Sequence, residues 1–205
     1  MERKIAVSDI HGCVRTLRRL LEKKVRLTHG DELYLLGDYI NRGPDSPGVI
    51  AYIRQLRREG FPVYCLMGNH EDRYIRTPGS STSLHMVPDL RAFWGELRYW
   101  IEVDDYILVH AGLNFRAPDP WSDTTAMMYI RDWHRDLDPD WLDGRIVIHG
   151  HVRHTVAQIE AMVARWRYVI AIDAGCSFAG VAGQGYLCAL DFSNREVFFQ
   201  KNIDV

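Results

Sequence analysis

The chain lacks a long hydrophobic run. No stretch approaches the length of a membrane span, and the run Ile5-Ala6-Val7 is far too short for a secretion signal. It has little net charge, -2 at neutral pH, so its overall balance draws it neither to nucleic acid polymers nor to anionic membranes. It is poor in cysteine: Cys13, Cys65, Cys176 and Cys188 are scattered, with no C-x-x-C pair. That argues against a disulfide framework and for reduced thiols in a cytoplasmic protein. Repeats, low-complexity tracts and interdomain linkers are also missing; Ala117-Pro118-Asp119-Pro120 is only a short turn-rich stretch.

What is present is an ordinary globular balance. Of 205 residues, 47% are hydrophobic and 25% charged, which suits one compact domain over residues 1–205 with a sizeable core. Lys4 to Val7, Glu32 to Leu36 and Val63 to Met67 read as strands. Between them fall two helices. Arg15 to Lys24 places Val14, Leu17, Leu20 and Leu21 on one face, and Pro47 to Glu59 places Val49, Ile50, Ile53 and Leu56 inward. The basic face of the first helix reads as solvated surface. This alternation predicts a largely parallel sheet with right-handed crossovers and a ligand site beyond the carboxyl ends of its strands.

Residues 77–100 break the rhythm. They read as an insertion near the site, a lid or a plain connection, with a helix over Asp89 to Leu97. Further strands are expected at Tyr106 to Val109, Arg145 to Ile148, Tyr168 to Ile172, Tyr186 to Asp191 and Glu196 to Lys201, and a helix at Thr124 to His134. The hairpin-like spacing of the closing strands predicts a mixed or antiparallel second half.

Polar clusters follow the apolar runs. They are Ser8-Asp9-Ile10-His11-Gly12, Gly37-Asp38-Tyr39-Ile40-Asn41-Arg42-Gly43 and Gly68-Asn69-His70-Glu71, then His110-Ala111-Gly112-Leu113 and Gly150-His151. Carboxylate, amide and imidazole donors together suit a borderline first-row divalent metal. The candidates Asp9, His11, Asp38, Asn69, His110 and His151 exceed the needs of one four-coordinate ion. They suit two ions sharing a carboxylate, with Asp38 the natural bridge. Such ions, about 3.5–4 Å apart, hold a hydroxide as nucleophile. Arg42 is the candidate phosphate clamp, Arg131 a second one, and His70 the proton donor to the leaving oxygen. His29, His85, His134 and His154 read as ordinary surface or packing residues, and His149 as a neighbour of the site or a structural residue.

These five pieces, in this order over about 140 residues, resemble the phosphoprotein phosphatases of the calcineurin-like metallophosphoesterases, in the bacterial serine/threonine form. The resemblance implies an α/β fold, a central β-sandwich of mixed sheets flanked by helices. It implies that Asp9, His11 and Asp38 hold one metal, and Asp38, Asn69, His110 and His151 the other. Manganese is the expected metal, with iron or zinc as alternatives. Arg42 and Arg131 would grip phosphate and His70 would be the general acid. Two positions depart from the pattern. Ser8 replaces a glycine, a small change. Asn41 stands where many protein phosphatases carry an aspartate that accepts a hydrogen bond from the acid histidine. Asparagine brings no charge, so His70 is expected to lose its proton at lower pH.

The implied reaction is hydrolysis of phosphomonoesters, including phosphorylated protein, by metal-bound hydroxide. The same machinery serves dinucleoside polyphosphates. That substrate would call for an aromatic shelf and extra cations, here Phe115 or Trp121 with Arg73, Arg76 and Arg91. A non-catalytic metal or phosphate-binding module is the third reading.

Overall fold

The computed structural model describes residues 2–77, 84 and 89–205. Two sheets carry the molecule. The first has five strands in the order β3-β2-β1-β8-β9, where β1 is Lys4–Val7, β2 Glu32–Leu35, β3 Val63–Cys65, β8 Tyr186–Asp191 and β9 Glu196–Lys201. The second has four in the order β4-β5-β6-β7: Trp100–Val103, Tyr106–Val109, Ile146–His149 and Val169–Ala171. β1, β2 and β3 run parallel, as do β5, β6 and β7. Val7 is level with Leu35 and Leu35 with Cys65; Val109 is level with His149 and His149 with Ala171. Two parallel triplets therefore release their chains at matched levels, and the polar clusters begin there.

Period-two alternation sorts the side chains of each strand between layers. Ala6, Tyr34, Leu36, Leu66, Leu108, Ile148, Ile170, Cys188 and Leu190 form the core that lies between the sheets. Ile5, Val7, Leu33, Leu35, Val63 and Leu187 face the other way. They pack on helix α1 (Val14–Arg19), which widens into a looser turn over Leu20–Val25, and on α2 (Ser46–Arg58). Ile107, Val109 and Val147 pack outward beneath an aromatic group that includes Trp133. α2 starts as its sequence dictates. The Asp45 carboxylate accepts from Gly48 N–H at 2.7 Å, proline stands in the first turn, and Val49, Ile50, Ile53 and Leu56 are buried.

The second half differs from expectation in detail. It is mixed, but β5, β6 and β7 are parallel, and only β4 and the β8–β9 hairpin run antiparallel. The crossover from β6 to β7 is helix α7, Val156–Arg165. Its capping box is plain: Thr155 N–H donates to Gln158 Oε1 at 2.8 Å and Gln158 N–H to Thr155 Oγ1 at 3.3 Å. The remaining helices are α3 (Asn69–Arg76), α4 (Leu90–Gly95), α5 (Thr124–Tyr129) and α6 (Pro139–Leu142). α5 stops at Tyr129 rather than reaching His134, because Ile130 turns extended (ψ 144°) and aims the chain back toward the site. The expected insertion at 77–100 contains α4, and the unforeseen strand β4 begins at its last residue, Trp100. Whether the insertion forms a lid falls partly on residues 78–83 and 85–88, outside the described residues, as does His85. The four cysteines are buried and free, and among the described residues no helix is long and apolar enough to cross a membrane.

Candidate metal and phosphate site

Every predicted site residue but Arg131, which follows α5, lies beyond the carboxyl end of a parallel strand. Asp9 and His11 follow β1, Asp38 to Arg42 follow β2, Asn69 and His70 open α3 after β3, His110 follows β5 and His151 follows β6. Five of these residues, His11, Asp38, Asn41, Arg42 and His151, have positive φ between 49° and 68°. Such a conformation costs a side-chain-bearing residue roughly 1–2 kcal/mol, so this strain is concentrated at the site. Two glycines allow the loops to meet. A Cβ on Gly68 would lie 2.3 Å from Asp38 Oδ1, and one on Gly150 would lie 2.2 Å from Asp9 Oδ1.

Glu71 holds the floor together. Its carboxylate, wholly buried, accepts from the backbone N–H groups of Asp38 (2.8 Å), Tyr39 (2.9 Å), Ile40 (3.3 Å) and Gly68 (3.1 Å). It anchors the loop and does not face substrate. Asp38 is the centre. His11 Nε2 lies 3.6 Å from one of its oxygens and His110 Nε2 3.6 Å from the other. Two ligand groups share it, His11–Asp38–His70 and Asp38–His110–His151, with donor atoms mutually within 4.8 Å. The first group contains His70 where the sequence suggests Asp9. The Asp9 oxygens instead accept the His151 N–H at 3.1 and 3.2 Å, while Asp9 still lines the same pocket. Asn69 Oδ1 is 3.2 Å from His110 Nε2.

The donor set fits divalent cations. The ring Nδ1 of His11 faces Ile40 O at 3.1 Å and that of His110 faces Leu36 O at 2.8 Å, which leaves each Nε2 lone pair aimed at Asp38. His151 Nε2 is buried without a partner. Burial keeps these imidazoles neutral: His110 is lowered to about 4, His151 to about 3, and His11 falls well below its ordinary value. The acids move the opposite way. Burial first, then the charges of neighbouring acids, raise Asp9, and burial with Asp173 raises Asp38 to about 7 against the His70 N–H bond. Asp173, two residues past β7, lines the pocket beside them. His149 turns away, packing on Trp133 and His134.

Above this floor lies a pocket of about 140 Å³ whose rim is arginine: Arg42, Arg73, Arg131 and Arg153. None of the four makes an ion pair among the described residues. Arg42 and Arg131 are where the sequence places them. Arg153 and the aromatic Phe178 were not foreseen. Arg153 stands two positions after His151, a spacing that could have drawn notice; Phe178 carries no pattern signal. The proposed shelf residues Phe115 and Trp121 are instead packed in the outer aromatic group with Trp100, Trp133 and Trp141. His70 Nδ1 lies 3.1 Å from Asn41 Nδ2, and His70 Nε2 lies 3.9 Å from Asp38. As oriented, the amide donates to Nδ1 and leaves the ring proton on Nε2. Burial, then Arg42 and Arg73, lower His70 to about 4.

A calcineurin-like phosphoesterase family model matches residues 3–173. The chain belongs to that family. The family is one of metal-dependent phosphoester hydrolases, and the two sheets with flanking helices are its fold. A symmetrical bis(5'-nucleosyl)-tetraphosphatase of Haemophilus ducreyi is 24% identical over 80% of this chain and 64% of its own length. The enzyme of the same name from Cellvibrio japonicus is 33% identical over 62% of this chain and 50% of its own. The chain thus spans about half to two thirds of the length of these curated relatives. Among solved structures, a serine/threonine phosphatase from Saccharomyces cerevisiae superposes with TM-score 0.72 over the whole chain and 81% of its own, at 14% identity. A candidate diadenosine tetraphosphatase superposes with TM-score 0.65 over 97% and 92%, at 23% identity. These likenesses show the fold alone. The narrower assignment to bacterial serine/threonine protein phosphatases finds no support in the relatives' names, which are tetraphosphatases.

Proposed function

We propose that this protein hydrolyses dinucleoside polyphosphates in a metal-dependent reaction, and that phosphorylated protein is not its substrate. The observation that carries this reading is the Asn41–His70 contact. Release of a serine or threonine alkoxide needs a strong proton donor at the leaving oxygen. An acid beside His70 would favour its imidazolium form; Asn41 supplies no charge, and burial with two arginines acts against the proton. A nucleoside phosphate leaves as a stable anion and needs far less help. A neutral His70 that offers a hydrogen bond from Nε2 suffices for it. The tetraphosphatase names of the sequence relatives support the same substrate class.

On this reading Asp9, His11 and Asp38 hold one divalent ion, and Asp38, Asn69, His110 and His151 the second. Manganese is the proposed metal. Bound there, the ions supply Lewis acidity that activates water near neutral pH and neutralises phosphoryl charge. Arg42 and Arg131 bind and orient the phosphoryl oxygens, since a guanidinium fork matches them in pairs. Asn41 fixes the His70 ring so that Nε2 faces the pocket. The test is steady-state hydrolysis by metal-stripped protein with manganese restored, comparing diadenosine tetraphosphate, a phosphothreonine peptide and p-nitrophenyl phosphate, with Asp38→Asn as control. The dinucleotide should show the highest kcat/KM. Preference for the peptide would return the chain to the protein phosphatases.

A further inference from the structure

We infer that Arg153, seated on Phe178, is the specificity-determining residue that grips the phosphates beyond the one under attack. This rests on the polyphosphate reading of the same site and names the residue that would distinguish a chain of phosphates from a single one.

Three loops meet at one ring. Arg42 comes from the turn after β2, Arg153 from the turn after β6, and Phe178 from the loop between β7 and β8. The Arg153 guanidinium carbon lies 3.7 Å from the Phe178 ring centroid and that of Arg42 lies 4.8 Å from it. Both are within cation–π range. Two like-charged groups from different sheets are thus held beside each other on one aromatic. Arg153 is also directed by Gln184, whose Oε1 accepts from Nη1 at 3.2 Å. Gly175 leaves the room for this: with φ +64°, its Cβ would meet Gln184 Oε1 at 2.9 Å and Arg153 Cδ at 3.4 Å. The remaining N–H groups of Arg153 have no acid partner among the described residues, and the side chain is exposed on the pocket rim.

A single phosphoryl group over the Asp38 floor is served by Arg42 and Arg131. Arg153 adds a fixed positive group beside Arg42 on the open side, where a substrate that ends at one phosphate has nothing to offer it. A polyphosphate continues with further anionic units, each a match for a guanidinium fork. The ring pre-orders the cation, so less freedom is lost when it binds. Phe178 is then a positioning residue: it sets the spacing of the two guanidiniums and does not itself touch phosphate.

The test uses p-nitrophenyl phosphate turnover as reporter, with inorganic phosphate and inorganic tripolyphosphate as inhibitors and free manganese held constant. The quantity read is the ratio of their inhibition constants. Arg153→Ala should reduce the advantage of tripolyphosphate over phosphate about tenfold, the loss of one charge-assisted contact of roughly 1.4 kcal/mol. Arg153→Lys, which keeps charge but loses the fork and ring stacking, should recover only part of it. Phe178→Ala should act in the same direction and Phe178→Tyr should restore the ratio, which a general loss of packing would not reproduce. An unchanged ratio in Arg153→Ala overturns the inference, as does equal weakening of both inhibitors. If wild-type protein prefers the phosphothreonine peptide while Arg153→Ala still loses tripolyphosphate selectively, the proposed function falls and the Arg153 assignment stands. If the dinucleotide is preferred and the ratio does not move, the reverse holds.

Discussion

Two sets of buried acids show how differently this chain treats a charge. Asp31, just before β2, is 3% exposed, yet burial does not prevail there. Arg3 grips its two oxygens at 2.9 and 2.6 Å, and Thr28 adds its N–H at 2.7 Å and its hydroxyl at 3.0 Å, so the carboxyl is held below its ordinary range. Asp9, Asp38, Glu71 and Asp173 are equally buried, and none forms an ion pair with lysine or arginine among the described residues. Burial pushes these acids up, and neighbouring acids add to it for Asp9, Asp38 and Glu71; Glu71 reaches about 8 despite its four backbone donors. One acid is neutralised within the chain. Asp9, Asp38 and Asp173 instead line the pocket that would receive a cation from outside, Glu71 braces its floor, and the metal-free fold bears their cost.

The largest expected effect tests that contrast directly. Manganese added to metal-free protein at a thousand times its dissociation constant should stabilise the fold by about 4 kcal/mol, read by calorimetry as a rise in Tm. Asp38→Asn should lose most of this gain. Without metal it should be no less stable than wild type, because it removes a buried charge and keeps an oxygen for the His70 N–H, an Asp38 bond of 3.0 Å. A full metal response in Asp38→Asn would show that the ions bind elsewhere.

Glu71→Gln should come next. It turns an acceptor of four N–H groups into an amide with one oxygen, leaving buried donors unpaired, at a cost of roughly 3 kcal/mol with or without metal. Chemical denaturation checks it; a loss that metal fully rescues would make Glu71 part of the ion site rather than its anchor. Asp31→Asn should cost about 2 kcal/mol at pH 7, the scale of a hydrogen bond to a charged group. Its sign with pH separates the two regions. The Asp31 carboxyl is depressed in the fold, so its contribution is present above the unfolded carboxyl pKa and is lost as pH falls through the folded value. The pocket acids are raised and the buried imidazoles lowered, so the two oppose each other below the ordinary histidine range of about 6.5; above it, up to about 7 to 8, the raised Asp38 and Glu71 leave metal-free protein with more protons folded than unfolded. Its stability should fall as pH rises through that window. Denaturation of metal-free wild type and Asp31→Asn at about pH 3 and 5 reads the first slope, and at about pH 6.5 and 8 the second.

Much of this was legible in the chain. The first three strands, their parallel order and the placing of Asp9, Asp38 and Asn69 follow from apolar runs ending in Asp-, Asn- and Gly-bearing turns. The parallel β5–β7 triplet was not read because α7 was missed, although Thr155 with Gln158 and the spacing of Ile159 and Val163 mark it. From the sequence Glu71 reads as an anchor of its loop rather than a chemical group, but its set of partners could not be read. They are four backbone groups brought together by folding, three of them more than thirty positions away. Arg153 on Phe178 is of the same kind, a contact between loops that no local pattern records.

Asn41 gives the smallest and most discriminating prediction. Asn41→Asp would place an acid about 3 Å from His70 Nδ1, where Asn41 Nδ2 now lies. Unlike the pocket acids it would have a partner that can take up charge, so it would resemble Asp31 rather than Asp38. A carboxylate favours the imidazolium, so the His70 pKa should rise from its lowered value, and the alkaline limb of the rate profile for the phosphothreonine peptide, whose leaving group needs the imidazolium, should move up by about one unit, or 1.4 kcal/mol. The stronger acid should help a poor leaving group more than a good one. Turnover of the phosphothreonine peptide should therefore gain on that of diadenosine tetraphosphate. A limb that stays in place would remove His70 as the group beside the leaving oxygen, and equal gains on both substrates would remove leaving-group quality as the reason an uncharged residue stands at position 41.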